Sequence, residues 1–515
     1  MLGSDPGLAG GDPEQRLAID DEARHAADFT LDENVAVSKR VPGRRWRKRS
    51  EMKGLNRRDF LKALAVVGGG LAIRPSLAET LGGVPDSIGA SRYSKLHDRS
   101  LFLVHSDLHN HSFISGDAEG DPYRALRNIR AAGIDVACMT EHAVSGKDHG
   151  QYTCATWQDG GCRFIEGINA NDWQTMAKIA DAAYDPGHFV SFRGFEYSTP
   201  TIGHINVWFG QDFTDPAHEF ALATPRALSE MWRVFPQSKP IADQFKNAPD
   251  TALIAPFYDW LSSKPGSLPF GGGNDAIASF NHPGYFGNFQ DFLYHAGAAR
   301  HIFLIEGFNS ITYDQNQSNG HNATDFFWYA RERGLPQPFN ACFNAGWRVG
   351  FTGVSDEHSG VYGQIGKGRG GLWVTGLTRQ EVRNGIMSRR SFGTREPGLR
   401  LDATANGVPM GSSMKATSNL AVKLDIDRGP DWTGKKLYVQ VIGPGKNDPT
   451  LLDVQEITVP PPSHTPLSFT AHPHGAWLFL RITDPARSLD PLGVEPFEQK
   501  KYGGACAYVS PWFFD

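Results

Sequence analysis

The chain has 515 residues, 40% of them hydrophobic and 21% charged, an ordinary composition for a folded globular protein and enough length for two domains. Formal net charge is −5; the first 78 residues carry 14 Lys+Arg against 11 Asp+Glu, leaving −8 on the remainder, which argues against a broad nucleic-acid-binding surface. No apolar run reaches the ~18 residues that a bilayer-crossing helix needs, so no stable membrane span is expected.

In chain order, residues 1–55 are polar, charged and without periodicity, and read as a disordered extension. Residues 56–78, "NRRDFLKALAVVGGGLAIRPSLA", place Arg57 and Arg58 ahead of Phe60, Leu61 and Lys62, then a short Gly-rich apolar stretch ending in small residues. This resembles a twin-arginine export signal, which implies the export machinery as a partner and a periplasmic or extracellular destination. A buried helix after a basic linker is the structural alternative, and Met1 and Met52 are both open as starts.

From about residue 95 to 395, short apolar strands alternate with amphipathic helices. "FLVHSDLH", "IDVACMTEHA", "HFVSFRGFEYS", "GHINVWFG", "DAIASFNHPG", "HIFLIEGFNS" and "RVGFTGVSDEH" read as strands. "DPYRALRNIRAAG" reads as a helix burying Ala125, Ile129 and Ala132 and stopping at Gly133; "NDWQTMAKIADAAY" is another. This spacing predicts parallel βα units, and about seven strands favour a closed barrel over an open sheet. After about residue 395, "LAVKLDID", "KLYVQVIG", "LSFTAH" and "AWLFLRITD" between Pro, Gly and Asp turns predict an antiparallel β-sandwich over 396–515. Of the five cysteines, Cys138 reads as core, and Cys154 and Cys162, flanking "CATWQDGGC", are candidates for a small disulfide. His472 and His474 in "AHPHGA" have ligand-like spacing without acidic neighbours and read as a plain turn.

The chemistry concentrates in "HSDLHNHSFISGDAEGD", residues 105–121. His105, Asp107, His109 and His111 alternate, so an extended backbone would aim them at one side, with Asp117, Glu119 and Asp121 close behind. Burying such a row is costly unless a metal pairs with it. The other strand ends carry the same residue types: Glu141 and His142, Glu196, His204, His282, and Asp356 with His358. In a parallel barrel, strand C-terminal ends converge on one face.

"DLHNHS", a downstream "GDA", "TEHA", "GFEYS", "GHINV", "NHPG" and "GVSDEHSG" occur in an order that resembles the polymerase and histidinol phosphatase (PHP) family over most of residues 100–395. The resemblance implies a distorted seven-stranded barrel holding up to three divalent ions, such as zinc, manganese or iron. It places His109, His111, Glu196 and Asp356 on a first ion. Glu196 would bridge to a second, held also by His204 and His282, and Asp117, His142 and His358 would hold a third. Asp107 would stand behind the cluster as an orienting group. Glu196, Asp356 and His142 would carry catalysis. Glu141 stands where many members have Asp. "CFNAGWRVGFTGVSDEH", with the export signal and the trailing sandwich, is similar to an exported branch typified by carbaryl hydrolases.

Adjacent divalent ions generate hydroxide at neutral pH and polarise the group under attack, so no Ser or Cys nucleophile is needed, and the chain has no GxSxG elbow. The expectation is an exported metal-dependent hydrolase of a small-molecule substrate, using a metal-bridging hydroxide and acting as a phosphoesterase by the family's default. Two alternatives stand beside it: a carboxyl-ester or carbamate hydrolase on the same site, and a non-catalytic, metal-stabilised cell-envelope binding protein. Lys147, His149, Tyr197, Asn206 and His321 read as surface residues rather than substrate contacts, and alternation turns Arg193 away from the metal face.

Overall fold

The first strand, β1 (Phe102–Asp107), is paired in parallel with β2 (Val136–Met139), and β2 in parallel with β3 (Val190–Thr199). In this computed structural model the described residues are 91–97, 100–143, 154–158, 161–164, 167–199, 202–216, 254–311 and 323–515 apart from 463, with 154–158 and 161–164 described by backbone alone. The extension, the export motif, Lys147, His149 and His321 lie outside them. Next come β4 (Gly203–Trp208), β5 (Ile277–Asn281), β6 (Ile302–Asn309) and β7 (Gly350–Gly353). The β5–β6 and β6–β7 pairs are parallel, whereas β3–β4 and β4–β5 are antiparallel, against the expectation of uniform βα units. The reason is length: β3 ends at Thr199 and β4 begins at Gly203, too short a link for a parallel crossover. Gly203 has φ +131°, and an added Cβ would stand 2.5 Å from the Phe289 ring, so the tight turn excludes other residues.

Past β7 the chain returns to β1. Asn110 and Glu357 form a parallel bridge, Asp356 N donates to His109 O at 2.9 Å, and His111 N donates to Glu357 O at 3.0 Å. Seven strands are thus linked in succession back to the first. Among the helices packed on them are two whose caps are plain in the sequence. α1 (Pro122–Ala131) is capped by Asp121, has Pro122 in its first turn and buries Ala125, Leu126 and Ile129. α2 (Ala170–Ala183) opens with a reciprocal Asn169–Asp172 capping box and buries Trp173, Met176 and Ile179.

On its other side β1 pairs with β8 (Arg369–Val374), then β9 (Ser391–Thr394). A separate sheet is built from β10 (Arg400–Ala405), β11 (Leu420–Asp427) and a strand at 467–471. The large sheet continues through β12 (Lys436–Gly443), β13 (Thr450–Thr458), β14 (Trp477–Asp484) and β15 (Gly504–Phe514), with β15 paired to β9. The sheet therefore runs without a break across residue 395. Every residue of β14 is buried, because both its faces are covered. Leu478, Leu480 and Ile482 pack with Leu401, Val422, Leu424 and Ile426 of the smaller sheet. Trp477 and Phe479 face the other way, into a core shared with Phe343, Phe351 and Tyr508.

Arg481 lies on that second face, fully buried. It donates to Gln440 Oε1 at 2.8 Å and to Asp325 Oδ2 at 3.2 Å, and pairs with Glu498. Cys138, Cys342 and Cys506 are buried free thiols. In the antiparallel pair 154–158 and 161–164, Cys154 is the register partner of Phe164 and Cys162 of Trp157, so the two cysteines are not opposite each other.

Candidate metal centre

Nine side chains from these strands and the turns that follow them meet at one place, with Glu196 at the middle. Its Oε1 lies 3.0 Å from His109 Nε2, 3.2 Å from His204 Nδ1 and 3.3 Å from His282 Nε2. Its Oε2 lies 2.7 Å from His142 Nδ1 and 3.7 Å from His111 Nε2. Asp356 Oδ1 lies 3.3 Å from His109 Nε2, 3.2 Å from His111 Nε2 and 3.5 Å from His358 Nδ1. Asp117 Oδ2 lies 3.2 Å from His142 Nε2 and 3.6 Å from His358 Nε2.

The donor set suits divalent ions. Ligand bonds of ~2.0–2.1 Å arranged tetrahedrally put donor atoms roughly 3.3 Å apart, and the separations above cluster there. Asp356 Oδ1 is buried without a hydrogen bond although two imidazole nitrogens lie 3.2 and 3.3 Å away. Two imidazole nitrogens, His109 Nε2 and His111 Nε2, face each other at 3.1 Å. Lone pairs so placed repel unless a cation or proton sits between them. Four sets of three donors are close enough to share an ion: His109–His111–Asp356, His109–Glu196–His282, His142–Glu196–His204 and His111–His142–His358. The first matches the expected first ion apart from Glu196, which joins other sets. His204 and His282 reach the same Glu196 oxygen but fall in different sets.

Electrostatics follow from the crowding. Burial favours neutral imidazoles, and the charges of His142 and His358 add to it, so His111 is pushed down to about 3. Burial likewise takes His204 down to about 4, against the pull of Glu196. Burial opposes a charge on His109 too, but Asp356, Glu196 and Glu306 outweigh it and hold its pKa well above the ordinary value. His142 is held high in the same way, by Asp117 and Glu196. Burial raises Glu196 and Asp356, yet the surrounding imidazoles prevail and keep both ionised well below the usual carboxylate range. Without an ion, protons on His109 and His142 balance the carboxylates.

Several ligands do not lie where strand alternation would put them. β1 ends at Asp107 and β7 at Gly353, so His109, His111, Asp356 and His358 sit on the turns beyond, with Asp356 in a left-handed conformation at φ +49°. His204 stands at the start of β4, and reaches the cluster because β4 runs opposite to its neighbours. His105 is buried but belongs to none of the four sets. Of the acidic run, only Asp117 reaches the cluster, beside His142 and His358, though the set that holds those two imidazoles takes His111 and not Asp117 as its third donor; Asp121 caps α1, and Glu119 forms a bridge to Ser359. Asp107 does not orient an imidazole: it accepts from Ser355 N at 2.9 Å and Ser355 Oγ at 2.6 Å, fixing the turn that carries Asp356. Glu141 accepts from Ser112 Oγ and Ser115 Oγ, each at 2.6 Å, and Ser115 Oγ lies 3.0 Å from His111 Nδ1.

Tyr197 and Asn206 are buried, not surface residues. Arg193 lies over the Trp173 ring at 3.8 Å and donates to Gly210 O and Gln211 O, away from the cluster as expected. Sequence reasoning missed Glu306, Asn281 and Asn309. Asn281 Nδ2 donates to Glu196 Oε1 at 2.8 Å, and Asn309 Nδ2 to Asp356 Oδ2 at 3.0 Å. A polar residue inside the apolar runs "ASFNHP" and "FLIEGFN" was the available signal.

The cluster is closed on one side and open on another. Phe286 stacks on His204 at 4.1 Å, and Tyr285 and Phe326 flank His282. Asp117 and His358 are 21% and 26% exposed, against 5% or less for the other seven.

A family model described as a protein of unknown function (DUF3604) matches residues 105–243, a stretch that includes six of the nine residues. No curated protein matches the chain. Among solved structures, a two-domain protein from Bacteroides vulgatus ATCC 8482, described as containing a predicted PHP-like metal-dependent phosphoesterase, is similar at 14% identity and a TM-score of 0.34, over 82% of this chain and 100% of that one.

Proposed function

We propose that the chain is an exported metal-dependent hydrolase built on a distorted seven-stranded barrel, residues 95–395, with a β-sandwich over 396–515. The observation that carries this reading is one fully buried carboxylate, Glu196, within ligand-sharing distance of five imidazoles. Bound divalent ions would supply a hydroxide nucleophile at neutral pH and polarise the group under attack. His109, His111, Glu196 and Asp356 would hold one ion. Glu196, His204 and His282 would hold a second, and Asp117, His142 and His358 a third.

The chain's own residues hold and shape that site. Asn281 and Ser198 fix the two oxygens of Glu196, at 2.8 and 3.1 Å. Glu141 steers His111 through Ser115. Phe286 keeps water from the His204 side, so substrate enters past Asp117 and His358. Phosphoester hydrolysis is the first reading. Ester or carbamate hydrolysis is the second, favoured by the basic groups: Arg193 stacks on Trp173 and Lys367 pairs with Glu357, so neither serves as a phosphate clamp.

Assaying purified protein on an aryl phosphate and an aryl ester, with and without chelator, tests the reading. Chelator-sensitive turnover of either supports it and selects the bond; no turnover of either after metal reloading leaves the binding-protein alternative. Export is tested by changing Arg57 and Arg58 to Lys, which should retain the protein in the cytoplasm on fractionation.

A further inference from the structure

Glu306 is the fifth of the eight residues of β6, between Ile305 and Gly307, and is fully buried at a position suited to an apolar side chain. A buried carboxylate there needs compensation, and it has three donors. Oε1 lies 2.8 Å from His109 Nδ1. Oε2 accepts from His282 N at 2.6 Å and from Asn309 Nδ2 at 2.8 Å. The same Asn309 amide donates to Asp356 Oδ2 at 3.0 Å.

We propose that Glu306 is a positioning residue that sets three members of the cluster at once: the ring of His109, the backbone of His282 and, through Asn309, the carboxylate of Asp356. A neutral imidazole carries one N–H. When His109 Nδ1–H donates to Glu306, the lone pair is left on Nε2, the atom that faces Glu196 and Asp356. The opposite tautomer would point a hydrogen into the space where an ion belongs. His282 has φ +22°, a conformation that side chains rarely adopt, and the bond from its N–H helps hold it.

The hydrogen-bond pattern distinguishes a carboxylate from an amide of the same shape. In Glu306→Gln, one orientation of the amide sets its NH₂ against two donors, His282 N–H and Asn309 Nδ2. The other sets its NH₂ against His109 Nδ1 and forces the tautomer that cannot bind through Nε2. Neither orientation satisfies all three partners. The inference rests on the metal-centre reading, and its tests read metal and protonation, not turnover.

Zinc affinity is measured by chelator competition for the wild type, E306Q and E306D, with melting of the metal-free forms alongside. E306Q should bind zinc about 10–100-fold more weakly, and E306D, which keeps the charge, should recover part of the loss. In ¹⁵N-histidine spectra of the zinc-loaded wild type, His109 should carry its proton on Nδ1 and the metal on Nε2. Wild-type zinc affinity in E306Q, or zinc on Nδ1 of His109, would overturn the role of Glu306 alone. Failure of the wild type to take up zinc would overturn the metal centre and this role together. If E306Q does not fold, the wild-type spectrum decides.

Discussion

Glu196→Gln is the sharpest test of the centre. The substitution keeps shape and burial but removes the one charge that sits between His109, His204 and His282 on one oxygen and His142 on the other. The amide oxygen belongs at the Oε1 position, where Asn281 Nδ2 donates at 2.8 Å. Its NH₂ then faces Ser198 Oγ, which can accept from it while donating to the Glu196 carbonyl, and His142 Nδ1, whose proton it now opposes. Removing one partner from a buried ion pair costs about 3–5 kcal/mol, which at ~1.4 kcal/mol per tenfold is roughly two to three and a half orders of magnitude in affinity. Because two ions would share the carboxylate, both should weaken. The assays are metal content after dialysis against chelator and turnover of the substrate identified in the phosphate–ester comparison. Turnover should fall by several orders of magnitude. Full metal content with near-normal turnover would refute a bridging role for Glu196.

The metal-free protein should be most stable near pH 6.5. His111 and His204 are kept neutral by the fold, at about 3 and about 4 against an ordinary 6.5, so the unfolded chain binds more protons between about 4 and 6.5 and stability rises with pH across that window. His109 and His142 are shifted upward, so their contribution is complete below 6.5 and is lost as pH rises through their folded values. Melting in chelator from pH 4.5 to 8.5 checks this; a flat profile below 6.5 would contradict it. Asp356→Ala should abolish activity at any metal concentration, since Asp356 is 1% exposed and touches three imidazoles, whereas His358→Ala, at the 26% exposed edge, should be partly rescued by excess metal. Equal, unrescued loss in both variants would remove the distinction. His472→Ala and His474→Ala should leave turnover unchanged, because both residues are exposed and His472 Nδ1 reaches no more than the Ser418 carbonyl oxygen, at 3.4 Å.

The nine proposed ligands were legible because imidazoles and carboxylates at strand ends are expensive to bury without a shared purpose. Their grouping was not. Alternation on an extended strand suggested that His105 and Asp107 belong with His109, but the chain turns after Asp107, and only the residues beyond the turn face the centre. Glu306 and Asn309 gave a weaker signal: each is a single polar residue in an apolar run, and only strand pairing shows that it lies behind a ligand. The antiparallel β4 was readable from the short Thr199–Gly203 link, which a purely parallel pattern overlooked. The C-terminal strands were visible as such, but "GACAYVSPWFF" has no alternation, because β15 is covered on both faces; its place in the same sheet as β1 required the structure.

The pairing of β9 with β15 has a consequence for biosynthesis. Phe392 is matched with Val509, so when the ribosome has delivered all nine proposed ligands, the edge of β9 still lacks its neighbour. At 5–20 residues per second that wait is on the order of 10 s, with an unpaired strand edge exposed. Arg481 adds to it, for its guanidinium comes to rest against Asp325, on the far side of the same seam. The nascent chain should therefore be a client for chaperones until its last strand arrives. A transport route that accepts only finished proteins would in turn act as a check on this seam: chains in which β15 has not closed over β9 would be held back, whether or not their metal ligands are already in place.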